Sequence, residues 1–179
     1  MNRKLLITVH LFLAAFFAPA VLLVAISGGL YLLGIKGEVT QAVIFQSDEI
    51  TIDSDSAALG AEVANLLSIA GVTSYDFDSV KVKGTSLYTR PTSSDHYVIK
   101  IKPGHLDLIH AQPDLQSRLI ELHKGHGPAA FKTFQQVFAL GLVIIILTGL
   151  WLGLSAARLR RSTLMTLSAG AVVFGLLLL

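Results

Sequence analysis

Residues 5–35, 133–157 and 162–179 contain no Asp, Glu, Lys or Arg. A hydrocarbon core about 30 Å thick is crossed by roughly 20 apolar helical residues, because every backbone amide must find its partner inside the segment. The first two runs exceed that length. The third, 18 residues long, is at the margin and stops without a polar anchor. The sequence therefore predicts two transmembrane helices, with a third as a candidate. At 53% apolar and 15% charged, with a mean hydropathy of +0.65, the chain is not an ordinary soluble domain.

The charges are segregated. All twelve acidic residues lie between Glu38 and Glu121, and nine Lys/Arg share the segment between the first two runs, leaving it at −3. The flanks are purely basic, with Arg3 and Lys4 before the first run and Arg158, Arg160 and Arg161 after the second. The sequence pI of about 9.0 is thus a positive-inside bias and not a nucleic-acid signal. It predicts a cytoplasmic N-terminus and first helix in residues 1–35, and an external domain in residues 36–127. A return helix in 128–157, a basic cytoplasmic loop in 158–161 and the candidate third helix in 162–179 complete the division. A cleavable signal would have an apolar region of about 7–15 residues, half of what is present, so a signal anchor is expected. No cysteine is present, which excludes disulfides, thiolate ligands and cysteine nucleophiles.

Within the first run, Pro19 should bend the helix, and Ala14 with Ala18 forms a small-xxx-small pair. Gly149, Gly153 and Ala157 repeat that spacing in the second run, and Tyr31 and Trp151 suit the lipid–water interface. The external segment reads as a small α+β unit. Leu59, Val63, Leu66 and Leu67 form a helical stripe, with Ser56 as N-cap and Gly71 as C-cap. "YDFDSVKVKG", "TSLYTRP" and "HYVIKIKPG" alternate as strands of an antiparallel meander with one wet face. "LDLIHAQP" is a candidate last strand, and "PDLQSRLIELHKG" a helix. The fold class expected is membrane α-helical, with two or three transmembrane helices and an inserted small α+β domain.

His10 near the start of the first run, a helix-plus-meander domain, "ELHKGHGPAAF" and the closing "LTGLWLGL" occur in that order. Together they resemble the PepSY-associated transmembrane helix family of the bacterial inner membrane. The resemblance covers nearly the whole chain and implies a single-unit member whose residues 36–127 form a PepSY-like domain in the periplasm. Longer members, built from doubled copies, are associated with reduction of imported iron–siderophore complexes, and some carry haem on membrane histidines. PepSY domains elsewhere occur in propeptides of secreted metallopeptidases, with a proposed inhibitory role. This chain lacks a flavin or nicotinamide domain.

Six histidines are the candidate chemistry. His96, His105 and His110 fall in the meander and read as surface or strand-edge residues, and the spacing of the last two matches no standard metal motif. His10 lies one to two turns inside an apolar helix, where an ionisable group should face another helix, water or a cofactor. The bland alternative is a neutral imidazole bonded to a carbonyl or snorkelling to the interface. His123 and His126 are three apart, but Gly125 and Gly127-Pro128 predict a bent junction, with His123 ending one helix, His126 in the link and Pro128 opening the next. His10 and His123 should be separated by almost the full membrane, on the order of 30 Å, so one copy cannot place both on one iron. A haem b would take His123 with His126, or the matching histidine of a second copy, and a homodimer would hold one haem near each face.

No nucleophile elbow or phosphate-cradling glycine loop is present, and Asp76 and Asp78 read as solvated carboxylates. Two functions follow. The simpler is a membrane-tethered interaction or accessory module whose external sheet meets a periplasmic protein or a larger membrane complex. The alternative is a haem-binding electron-transfer protein supporting ferric reduction, with His10, His123 and His126 as candidate ligands.

Overall fold

The computed structural model describes residues 2–179. They divide into two compact units, one of residues 2–21 with 136–179, the other of residues 22–135.

Residues 22–135 hold a five-stranded antiparallel sheet made of β1 (Val39–Ser47), β2 (Ser79–Lys83), β3 (Ser86–Arg90), β4 (His96–Lys102) and β5 (His105–Pro113). The strand order is β1-β5-β4-β3-β2. Strands β2 to β5 are the expected meander. β1 was not foreseen, because "VTQAVIFQS" alternates only loosely and carries a bulge at Ile44, where the register steps from Val43↔Ile109 to Phe45↔Leu108. The extra residue turns Phe45 toward the core beside Leu108. Tyr75 and Phe77, expected in a strand, precede β2 and stack on each other at 5.9 Å.

Helix α2 (Leu59–Ile69) covers one face of this sheet. Its stripe of Val63, Leu66 and Leu67 packs on Leu87, Ile99, Leu106 and Leu108, all fully buried. Burial of a large aliphatic side chain contributes about 1.5–3 kcal/mol, and this cluster is the domain's main store of stability. Gly71 ends α2 with φ +77°, as expected for a left-handed C-cap. Ser56 does not cap the helix. The N-cap is Ala58, without a side-chain bond, and the Ser56 hydroxyl accepts the Ala58 amide one turn earlier. The opposite sheet face is only partly wet, since Val98, Ile109 and Ala111 are buried there beside Tyr88.

Helix α3 (Leu115–His123) lies against β5. Its N-cap, Asp114, accepts the Ser117 amide at 2.7 Å and the Glu38 amide at 2.9 Å, so one carboxylate closes the helix start and pins the approach to β1. Gly37 (φ +72°) passes so close to Asp114 and Ser117 that no side chain fits.

Three further helices are α1 (Arg3–Leu32), α4 (Ala129–Ser155) and α5 (Ala157–Leu177). Helix α1 continues through Pro19. Helices α1 and α4 are long and apolar enough to cross a membrane, with mean hydropathies of 2.5 and 2.6 over their best windows. Helix α5 does not join them: Arg158, Arg160 and Arg161 lie inside it, and the expected basic loop shrinks to the single extended residue Ala156. Pro128 sits one residue before α4 and supplies its carbonyl to Lys132. Asp78, expected to be solvated, accepts the Ala129 amide at 3.1 Å and so caps α4.

Candidate functional site

His10 and His123 fall in separate units, and each meets the same local arrangement. In the first unit, His10 of α1 faces Thr148 and Gly149 of α4. Its Nδ1 lies 2.9 Å from the Thr148 hydroxyl, and a Cβ on Gly149 would stand 3.2 Å from its Cε1. In the second, His123 at the end of α3 faces Ser27 and Gly28 of α1. Its Nδ1 lies 3.1 Å from the Ser27 hydroxyl, and a Cβ on Gly28 would stand 3.0 Å from its Cε1. A hydroxyl-glycine pair on a helix therefore receives each imidazole: the hydroxyl takes one ring nitrogen, and the missing side chain makes room for the ring.

The hydroxyls favour one tautomer. Thr148 donates to the Ile144 carbonyl at 2.7 Å, and Ser27 to the Leu23 carbonyl at 2.6 Å. Each hydroxyl proton is thereby used on its own helix, leaving an oxygen that accepts from the imidazole. This arrangement suits the tautomer with its hydrogen on Nδ1 in both rings. Nε2 is then the basic nitrogen, and among the described residues nothing hydrogen-bonds to it in either case. A ligand histidine is oriented in the same way, its second nitrogen held by an outer partner. A narrow, mostly apolar cleft of 210 Å³ adjoins His123, with Ser27, Gly28, Tyr31 and Ile120 on its walls.

The other histidines are occupied. His126 lies in the link after α3, as expected, but its Nδ1 bonds Glu121 at 2.6 Å. His123 and His126 are thus turned to different partners and are not brought together. Glu121 is a hub. It also accepts from Thr92 at 2.6 Å and Lys124 at 2.9 Å, with Arg90 at 4.0 Å. Burial pushes its carboxyl up, but the hydrogen bonds from Thr92, Lys124 and His126 outweigh that and hold it at about 2. His96 is buried, with Nδ1 at 2.9 Å from the Ser94 carbonyl, and burial lowers its pKa. His105 bridges Asp48 and Asp107, whose carboxylates raise its pKa. His110 stacks on Tyr97 at 5.2 Å, 3.8 Å from Asp95. Among the described residues, no three His, Asp or Glu side chains converge as a metal site.

Sequence reading missed Ser27, Gly28 and Thr148 as partners of the histidines. Ser-Gly and Thr-Gly dipeptides inside apolar helices were the available signal, but their spacing to His123 and His10 is visible only once the helices are packed. Gly149, read as part of a helix-packing row, is the residue that accommodates His10.

Two long apolar helices and a small antiparallel sheet with its own helices define a membrane-associated protein with a PepSY-type domain. The chain belongs to the PepSY_TM-like family, whose match covers residues 83–179, more than half of its length and including both His123 and the Thr148-Gly149 pair. No curated protein and no solved structure matches the chain.

Proposed function

We propose that this protein is a haem b electron-transfer component of a membrane, working as a homodimer, with His10 and His123 as its axial ligands. The observation that carries the reading is the pair of imidazoles held by Nδ1 on a hydroxyl with Nε2 left basic and free. The donor set fits a haem: two imidazoles, each held from behind at Nδ1 by a hydroxyl and seated against a glycine, with Nε2 left for a metal. Haem iron, when bound, supplies reversible one-electron exchange. What the chain's own residues do is separate from that. Thr148 and Ser27 keep each Nδ1 protonated, Gly149 and Gly28 admit the ring, and the apolar helices exclude water. Each iron needs a second imidazole, and a second copy of the chain supplies the equivalent histidine.

A second reading, a tethered module that binds a periplasmic partner through its sheet, is favoured by the edge strand β1, exposed along most of its length. Spectroscopy separates the two. The full chain, expressed with the haem precursor 5-aminolevulinate and purified in detergent, should show a Soret band. His10→Leu and His123→Leu should each lose about half of its absorbance. Absence of a Soret band in the unsubstituted protein would sink the haem reading and leave the tethered module.

A further inference from the structure

The second face of the sheet opens into a cavity of 620 Å³ bounded by β1 to β4, by α3 and by the end of α1. Lys36, Lys81, Lys83, Arg90 and Lys124 line it, against the one carboxylate of Glu121. That carboxylate is already shared among Lys124, His126 and Thr92. Lys36, Lys81 and Lys83 have no carboxylate partner among the described residues; Lys36 lies over the Tyr31 ring at 5.1 Å instead. Cations that face a common cavity without counter-charge repel one another, so the groove is built for an anion.

Its position narrows the anion. Tyr31 is in the last turn of α1, a helix apolar enough to cross a bilayer, and Lys36 follows four residues after that helix ends. An aromatic ring and a lysine at the end of such a helix stand at headgroup level. The buried, apolar Val98 and Ile120 also line the cavity, which suits a glycerol backbone better than a fully hydrated ion. We propose that this groove binds the phosphate headgroup of an anionic phospholipid, seating the PepSY-type domain on the membrane surface. Lys81 and Lys83 reach the phosphate from the β2 edge, while Arg90 stays with Thr92 at 2.9 Å and Glu121 at 4.0 Å. None of His10, His123 or their partners takes part, so the haem reading can fail while this one holds.

The test uses the full chain in detergent, titrated in turn with dihexanoyl phosphatidylglycerol, dihexanoyl phosphatidylcholine and inorganic pyrophosphate, with binding followed by microscale thermophoresis. Phosphatidylglycerol should bind saturably and phosphatidylcholine should not. Lys81→Glu/Lys83→Glu, exposed positions whose replacement spares the core, should weaken phosphatidylglycerol binding about thirtyfold or more, since a lysine near an anionic surface is worth about 1 kcal/mol. Equal binding of the two lipids, or binding indifferent to the double substitution, would overturn the assignment. So would saturable binding of pyrophosphate with phosphatidylglycerol ignored, which would point to a soluble polyanion.

Discussion

At the scale of single residues, the sheet-bearing unit carries three titrating groups, two that weaken the fold as pH falls and one that weakens it as pH rises. Glu121 is held at about 2 against an ordinary 4.5, so its contribution to stability is complete above pH 4.5 and is lost as pH falls toward 2. His96 is lowered by burial, and its contribution is complete above pH 6.5 and drains away as pH falls through its lowered value. His105 is raised by Asp48 and Asp107, so its contribution is complete below pH 6.5 and is lost as pH rises through the raised value. Thermal unfolding of the detergent-solubilised protein should therefore be steepest in pH on the acid side, with Glu121→Gln flattening the slope between pH 4.5 and 2. His105→Gln should destabilise the protein more at pH 6 than at pH 9. Equal destabilisation at both would show that the His105 ion pairs do not depend on charge.

At the scale of elements, two contacts join helices that the sequence keeps far apart or leaves unspecified. Asp78, just before β2, caps α4 at Ala129. Asp78→Ala should cost about 1 kcal/mol, the usual worth of an N-cap, while Asp78→Asn should be nearly silent, as chemical denaturation in a mild detergent would read. Gly141 of α4 lies against the Phe17 ring of α1, with no room for a Cβ, and Phe17 meets Phe138 at 5.7 Å. Gly141→Ala should therefore destabilise the α1–α4 pairing by about 1–3 kcal/mol, despite the better helix propensity of alanine. Adding Phe17→Leu to Gly141→Ala should restore much of the loss. If the double variant is no more stable than the single one, the two residues are not in contact. The elements themselves were legible to unequal degrees. Helix α2 and strands β2 to β5 follow from periodicity and glycine punctuation. β1 did not, since its bulge breaks the alternation that marks a strand, and the residues that pair with it lie 59 to 74 positions later in β5.

At the scale of the whole molecule, Phe12, Phe16, Leu140, Leu147 and Trp151 are each more than half exposed on helices α1 and α4. A soluble protein rarely presents so much apolar surface, and a member of a membrane-associated family does. The chain contains no cysteine, so single cysteines report topology without background. Asp76→Cys should react with a membrane-impermeant maleimide from the periplasmic side, and Asn2→Cys should react only after the membrane is opened. Labelling of Asp76→Cys only after permeabilisation would reverse the proposed orientation.

What the sequence by itself determined is the medium and the segregation. Charge-free runs dictate helices in lipid, because an unpaired amide there is too costly, and the clustering of every acidic residue between two such runs defines the domain they flank. What only the tertiary structure decided is the use of the histidines. A pattern along the chain specifies which residues share a helix face, but not which hydroxyl on another helix will meet a ring nitrogen. Ser27 and His123 are 96 residues apart, Thr148 and His10 are 138 apart, and packing alone brings each pair within hydrogen-bonding distance. The same holds for the basic groove, whose lysines come from a linker, a strand and a helix end that share no local sequence signal.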